Sequence, residues 1–165
     1  MAIRYKSGGF SMMELLIVIA IIIIIATGFF LAQTQNIKKG YDAKRKTDLY
    51  TIAQALEEYE KDNEAYPAAL TLCEAPATGS PLESYIAQVP CDPQDDSNYA
   101  YEVGPNATER VWFRIYTKLA QTGDSDIAEV GCLAGCGPGG AYNFYIASPN
   151  APGLAVIGVY PTPFP

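Results

Sequence analysis

The sequence predicts an α+β fold, in which one long N-terminal helix carries a small antiparallel β-sheet on its C-terminal half. Three observations predict it. Residues 15–37 form a run of 23 residues without a charge. Apolar residues then recur at helical spacing to about residue 63. Beyond a Pro-rich connection, apolar and polar residues alternate with the two-residue period of half-buried strands.

As a helix, the uncharged run reaches about 35 Å, enough to cross a hydrocarbon core of about 30 Å. Glu14 stands at its start, where a carboxylate is costly. An ionisable group in such a segment is by default a functional feature whose partner should be named. A secretory signal peptide has a shorter apolar stretch, about 7–15 residues, with its small-residue cleavage site after it. Here the small pair Gly8-Gly9 comes before the apolar run. No Pro interrupts the run; Gly28 beside Thr27 is its weak point, costing about 1 kcal/mol relative to Ala.

From Gln33 the pattern predicts that the helix continues to about Asn63. Leu49, Ile52, Ala53, Leu56 and Tyr59 make one apolar face, and Glu57, Glu58, Lys61 and Asp62 fall largely opposite. Asp62-Asn63 and then Pro67 end it. Residues 66–98 are rich in Pro, Ala, Asp and Ser and read as loop, with one helical turn over 81–87. Strands are predicted over 99–103, 111–119, 142–147 and 154–160. In the second, Val111, Phe113, Ile115, Thr117 and Leu119 share one face; Trp112, Arg114, Tyr116 and Lys118 share the other. A one-sided sheet laid on the amphipathic helix is the expected product. Residues 161–165, three of them Pro, form an extended tail.

The order Gly8-Gly9-Phe10, Glu14, then the apolar run resembles the type IV pilins and the related pseudopilins of type II secretion. Members carry a short basic leader ending in Gly, then Phe, then a Glu four residues later, then an apolar helix. The later Asp92-Pro93 with Tyr99-Ala100-Tyr101 is similar to a pattern found in pseudopilins and in many pilins, without the Trp-Gly that usually follows Asp-Pro. The resemblance implies cleavage after Gly9 by a membrane prepilin peptidase and methylation of the new amino group of Phe10. It implies that Glu14 pairs with the Phe10 ammonium of a neighbouring subunit during assembly. The physics agrees: an amine and a carboxylate stranded in lipid both lose hydration, and pairing offsets part of the loss. Phe10 and Glu14 are also about one helical turn apart, so a pair within one chain is open as well. The organisation expected is a leader (1–9), a transmembrane and filament-core helix (10–37), an amphipathic continuation (38–64) and a β-rich head (65–165).

Net charge is −7. From Thr47 onward four basic residues face 16 acidic ones, a net −12. That surface argues against nucleic-acid binding by the head, and no specific nucleic-acid partner is predicted. The basic residues flank the apolar run, with Arg4 and Lys6 before it and Lys38, Lys39, Lys44, Arg45 and Lys46 after it. Counted alone they place the C-terminus in the cytoplasm. The resemblance implies the reverse, because the leader must face a cytoplasmic peptidase. The second cluster is then expected to meet acidic surfaces of neighbouring subunits.

There is no histidine, which removes Ser-His-Asp and Cys-His catalysis and the His-Glu-x-x-His zinc motif. No phosphate-binding or dinucleotide fingerprint appears, and the chain is expected not to be an enzyme. Cys73, Cys91, Cys132 and Cys136 make an even count on an extracytoplasmic domain, which favours disulfides. Three pairings are open; Cys73 with Cys91 and Cys132 with Cys136 is favoured, the second loop being eased by Gly135 and Gly137. A four-cysteine zinc site is the alternative, though Cys73 and Cys91 are too far apart for a tight ligand pair. Asp124 and Asp126 on the turn at Gly123, with Glu129, are candidate calcium ligands, since hard cations take several oxygens on a bent loop; a polar turn is the plainer reading, and no other cofactor is expected. Asn106-Ala107-Thr108 fits an N-glycosylation sequon, a triplet common by chance.

The function expected from the resemblance is a structural subunit of a type IV pilus-like homo-oligomeric filament. It would sit in the inner membrane before assembly by the pilus machinery and then on the cell surface, where adhesion is one use of such filaments. The alternatives are a major pseudopilin forming a periplasmic filament and a membrane-anchored binding protein that never polymerises.

Overall fold

The computed structural model describes residues 9–70, 73, 80–106 and 108–152, without the side chains of 29–32 and 34. The leader residues 1–8, the strand expected over 154–160, the tail and the middle residue of the sequon lie outside the described residues. The chain divides into two units, 1–37 and 38–165.

Helix α1, Met12–Asn63, runs through both. In the first unit Ser11 C=O accepts the N–H groups of Glu14 and Leu15 at 3.0 and 3.2 Å, which starts the helix. Thr27 Oγ1 donates to the Ile24 carbonyl at 2.8 Å, so the hydroxyl is satisfied within the helix. Among the described residues no helix is long and apolar enough to cross a membrane; the described side chains of this first part end at residue 28 before resuming at 33.

In the second unit α1 shows the predicted face. Leu49, Ile52, Ala53 and Leu56 are fully buried, and fully burying a Leu or Ile side chain stabilises by about 1.5–3 kcal/mol. The helix ends where Glu64 takes a left-handed φ of 58° while its N–H still donates to Glu60 C=O at 2.7 Å. The expected helical turn over 81–87 is a hydrogen-bonded turn in which Tyr85 and Ile86 N–H both donate to Leu82 C=O at 3.0 Å.

The sheet has three antiparallel strands in the order β1-β2-β3: Ala100–Gly104, Trp112–Thr117 and Phe144–Ala147. The register sets Val103 opposite Phe113, Tyr101 opposite Ile115, and Ile115 opposite Ile146. Phe113 and Ile115 are fully buried, in one core with Leu49, Ile52 and Leu56. Between β2 and β3 lies helix α2, Ser125–Glu129, whose Asp124 side chain caps it by accepting from Asp126 N–H. A helix thus begins where a polar turn is expected.

Two residues of the second strand depart from the expected faces. Val111 precedes β2 and is half exposed. Tyr116, expected outward with Trp112 and Arg114, is buried. The outer face of the sheet is covered there by the segment from Cys132 to Tyr142. Tyr142 stacks on Tyr116 with centroids 5.8 Å apart, and Gly137, at φ 70°, comes so close that a Cβ would sit 2.8 Å from the Tyr116 ring. A period-two pattern reports one face only while the other stays in water, and here both are covered locally.

Candidate assembly site

The site read from the sequence is the start of α1. Phe10 is 80% exposed and Glu14 is exposed in the first helical turn. The helix N-terminus favours a carboxylate there, since the first-turn N–H groups carry partial positive charge. Gly9 precedes in an irregular, exposed stretch, the kind of backbone a peptidase can enter. Behind Glu14, Leu15, Leu16, Ile17, Val18, Ile19 and Ile21 to Ile25 are all at least 44% exposed in the single chain. An apolar surface that continuous marks a lipid or protein contact.

The charged residues after the run behave otherwise than expected. Arg45 is buried and donates from Nε and Nη2 to the Asp92 carboxylate at 2.6 and 2.8 Å, and from Nη1 to Asp42 at 3.1 Å. Asp42 in turn accepts from the backbone N–H groups of Ala120 and Gln121 at 2.7 and 2.9 Å. Lys44 pairs with Asp48, which also accepts from Tyr99 Oη at 3.1 Å. Lys46 binds Asp124 and Asp126. The expectation that 44–46 meet neighbouring subunits is thus corrected. Asp92, Asp124 and Asp126 lie far along the same chain, invisible to local reading, while Asp42 and Asp48 stand one helical turn away, and a triple charge reversal would strike the fold of the head rather than assembly alone. Lys38 and Lys39 stay exposed.

Burial alone would pull the Lys46 ammonium down, but hydrogen bonds to Asp124 and Asp126 outweigh it and hold it above the ordinary lysine range. Burial alone would push Asp124 up; the bonds from Lys46 and the Asp126 backbone hold it below the usual carboxylate range. Tyr50 and Glu129 are the other titratable groups in this field. The sign follows. A depressed carboxyl contributes stability that is present above its unfolded value and lost as pH falls through its folded value; a raised ammonium contributes stability that is lost as pH rises through its folded value. The stability difference between wild type and Lys46→Met, on the order of 1 kcal/mol near neutrality, is therefore expected to shrink as pH falls below about 4. Urea titrations at pH 7 and pH 3 measure it; a difference that grows in acid would refute the assignment.

The cysteines form two disulfides, Cys73–Cys91 and Cys132–Cys136, with Cα separations of 5.0 and 5.2 Å. Cys91 adjoins Asp92, so the first bridge holds in place the carboxylate that grips Arg45. Its loop spans 18 residues against 4 for the second. Loop-closure entropy makes the longer one matter more, at about 3 kcal/mol. Cys73→Ser with Cys91→Ser is expected to lower unfolding free energy by that amount in guanidinium, and Cys132→Ser with Cys136→Ser by less. An equal or reversed ranking would count against the loop argument. Among the described residues no group of three or more Cys, His, Asp or Glu is placed to hold a metal.

With this geometry in view, three comparisons bear on the chain. Residues 4–30 match the family model described as a prokaryotic N-terminal methylation motif. The type II secretion system core protein G of Escherichia coli (strain K12) is 34% identical over 98 residues, covering 53% of this chain and 67% of that protein. No solved structure matches at a significant level. The chain belongs to the type IV pilin and pseudopilin family, whose members are structural subunits anchored in a membrane before assembly.

Proposed function

We propose that this chain is the repeating subunit of a type IV pilus-like filament. It is cut after Gly9, methylated on Phe10, and assembled by packing α1 against α1 of other copies. The observation that carries this is the exposed apolar surface of α1 from Leu15 to Ile25 with one carboxylate, Glu14, at its head. A helix exposing apolar residues all round needs lipid before assembly and other helices after it. The cationic mate of Glu14 is the Phe10 ammonium of a neighbouring copy. The 10–37 segment is the membrane anchor of the unassembled subunit, and the filament is its destination at the cell surface.

A second reading narrows the filament to the short periplasmic pseudopilus of type II secretion. The similarity to core protein G favours it. Electron microscopy of native cells, with N-terminal sequencing of the purified subunit, tests both. Long surface filaments whose subunit begins at methylated Phe10 support the first. Filaments seen only on overexpression, with loss of protein secretion on deletion, support the second. A mature chain beginning elsewhere, or one that stays monomeric beside an active assembly machinery, sinks both and leaves an anchored binding protein.

A further inference from the structure

A cleft opens on the head between the loop that ends in Tyr99 and the segment after β2. Its volume is about 380 Å³, within the range of small-ligand sites. At its base lies the buried Arg45–Asp92 pair. Around it stand Gln94, Asp95, Asn98, Lys118, Thr122 and Tyr142.

What these side chains offer a ligand is set by bonds already made. Gln94 Oε1 accepts from Arg45 Nη2 at 3.1 Å, and Asn98 Oδ1 accepts from the Cys73 N–H at 2.7 Å. Each donor fixes which end of its amide is the oxygen. Each NH2 group therefore points away from that donor, and among the described residues it has no acceptor. The Lys118 ammonium is exposed, with no carboxylate in ion-pair range among the described residues. Asp95 takes the Ser97 N–H at 3.1 Å and is exposed, with lone pairs to spare. Tyr142 is half-buried, stacked on Tyr116, and its hydroxyl has no partner among the described residues.

The charged groups lining the cleft are Arg45 and Lys118 against Asp92 and Asp95, so they cancel. An apolar ligand would strip water from the amides and the Asp95 carboxylate without replacing it. A polyanion would meet no net positive charge, on a head that is itself acidic. A neutral polyhydroxyl compound suits both conditions. Its hydroxyls accept from amides and ammonium and donate to a carboxylate, and the C–H face of a pyranose packs on an aromatic ring.

We infer that this cleft binds a neutral saccharide. Gln94, Asn98 and Lys118 donate to its hydroxyls, Asp95 accepts from them, and Tyr142 packs on its ring. The inference concerns the head alone and stands or falls apart from the filament reading.

The test uses the full chain in a detergent without a sugar headgroup. The probes are galactose, mannose, fucose, N-acetylglucosamine, lactose and β-linked di-N-acetylglucosamine, with sialyllactose as the anionic control. The readout is the side-chain amide NMR signals of Gln94 and Asn98, at up to about 50 mM sugar, far above a dissociation constant on the order of 1 mM. At least one neutral sugar should shift both signals saturably, and sialyllactose should bind no tighter than lactose. Lactose or fucose as the tightest probe supports a glycan of another cell; di-N-acetylglucosamine supports the wall of the cell itself. Asp95→Asn with Lys118→Ala should weaken binding at least tenfold. Both residues are exposed, so this double variant should melt within about 2 °C of wild type. Tyr142→Ala should weaken binding too, but its ring also packs Tyr116, so the exposed pair carries the test. The inference is overturned if no neutral sugar shifts the two amides, if sialyllactose binds tighter than lactose, or if the folded double variant binds like wild type.

Discussion

Replacing Glu14 by Ala is expected to reduce assembled filament at least tenfold while leaving the amount of folded, leader-cleaved subunit in the membrane unchanged. The size follows from what the substitution leaves behind. On the proposed assembly the Phe10 ammonium would be surrounded by apolar helix surface, where water could not solvate it. Taking away one partner of a buried ion pair costs about 3–5 kcal/mol, because the other charge stays buried and unpaired. At 1.4 kcal/mol per factor of ten, that is about two to three and a half orders of magnitude in each subunit's association. Glu14→Gln should fall nearly as far, since an amide accepts a hydrogen bond but carries no charge. Glu14 is exposed and is not part of the core of the head, so far-ultraviolet and near-ultraviolet circular dichroism of the extracted subunit should match wild type. Sheared filament, quantified by immunoblot against the membrane fraction, reads the effect. Wild-type filament yield in the alanine variant would show that the carboxylate is not what joins the subunits.

That candidate site is read from the sequence for a reason independent of the fold. A lone carboxylate ahead of 23 uncharged residues is anomalous in any environment, and the anomaly needs no three-dimensional information. The helix and the sheet were legible because their periods differ and each is sustained: Leu49, Ile52 and Leu56 on one helical stripe, Phe113 and Ile115 on one strand face. The outer face of β2 was not legible at Tyr116, since its cover comes from Tyr142 and Gly137 on a separate loop. Helix α2 spans five residues, too short for a period to declare itself. Its signal was chemical: Asp124 as a cap, with Ile127 and Val130 three apart and both buried. The ion pairs of Arg45 and Lys46 escaped altogether. Their partners stand 47 and 78 residues downstream, and a row of basic residues beside an apolar helix looks the same whether it faces solvent, a neighbour or its own chain.

Arg45→Ala is expected to destabilise the head by about 3–5 kcal/mol, a large part of a small domain's margin. The guanidinium is held charged by its hydrogen bonds to Asp92, which outweigh the opposing effect of burial. It is the common partner of two carboxylates, and both are buried: Asp42 at 2% exposure and Asp92 at 8%. Removing it leaves two anions facing one another across the gap. Asp42 cannot swing away without cost, because it also accepts the Ala120 and Gln121 N–H groups that fix the segment after β2. The prediction separates a buried pair's presence from its net worth. Arg45→Met with Asp92→Leu removes the charges in matched numbers, and such apolar exchanges are often neutral or better. The double variant should therefore regain most of what Arg45→Ala loses. Urea unfolding of the three chains at pH 7 measures both differences. A loss below about 1 kcal/mol in Arg45→Ala would place the group among screened surface pairs. A double variant as unstable as the single one would mean that Arg45 acts through the Asp42 loop contacts rather than by neutralising Asp92.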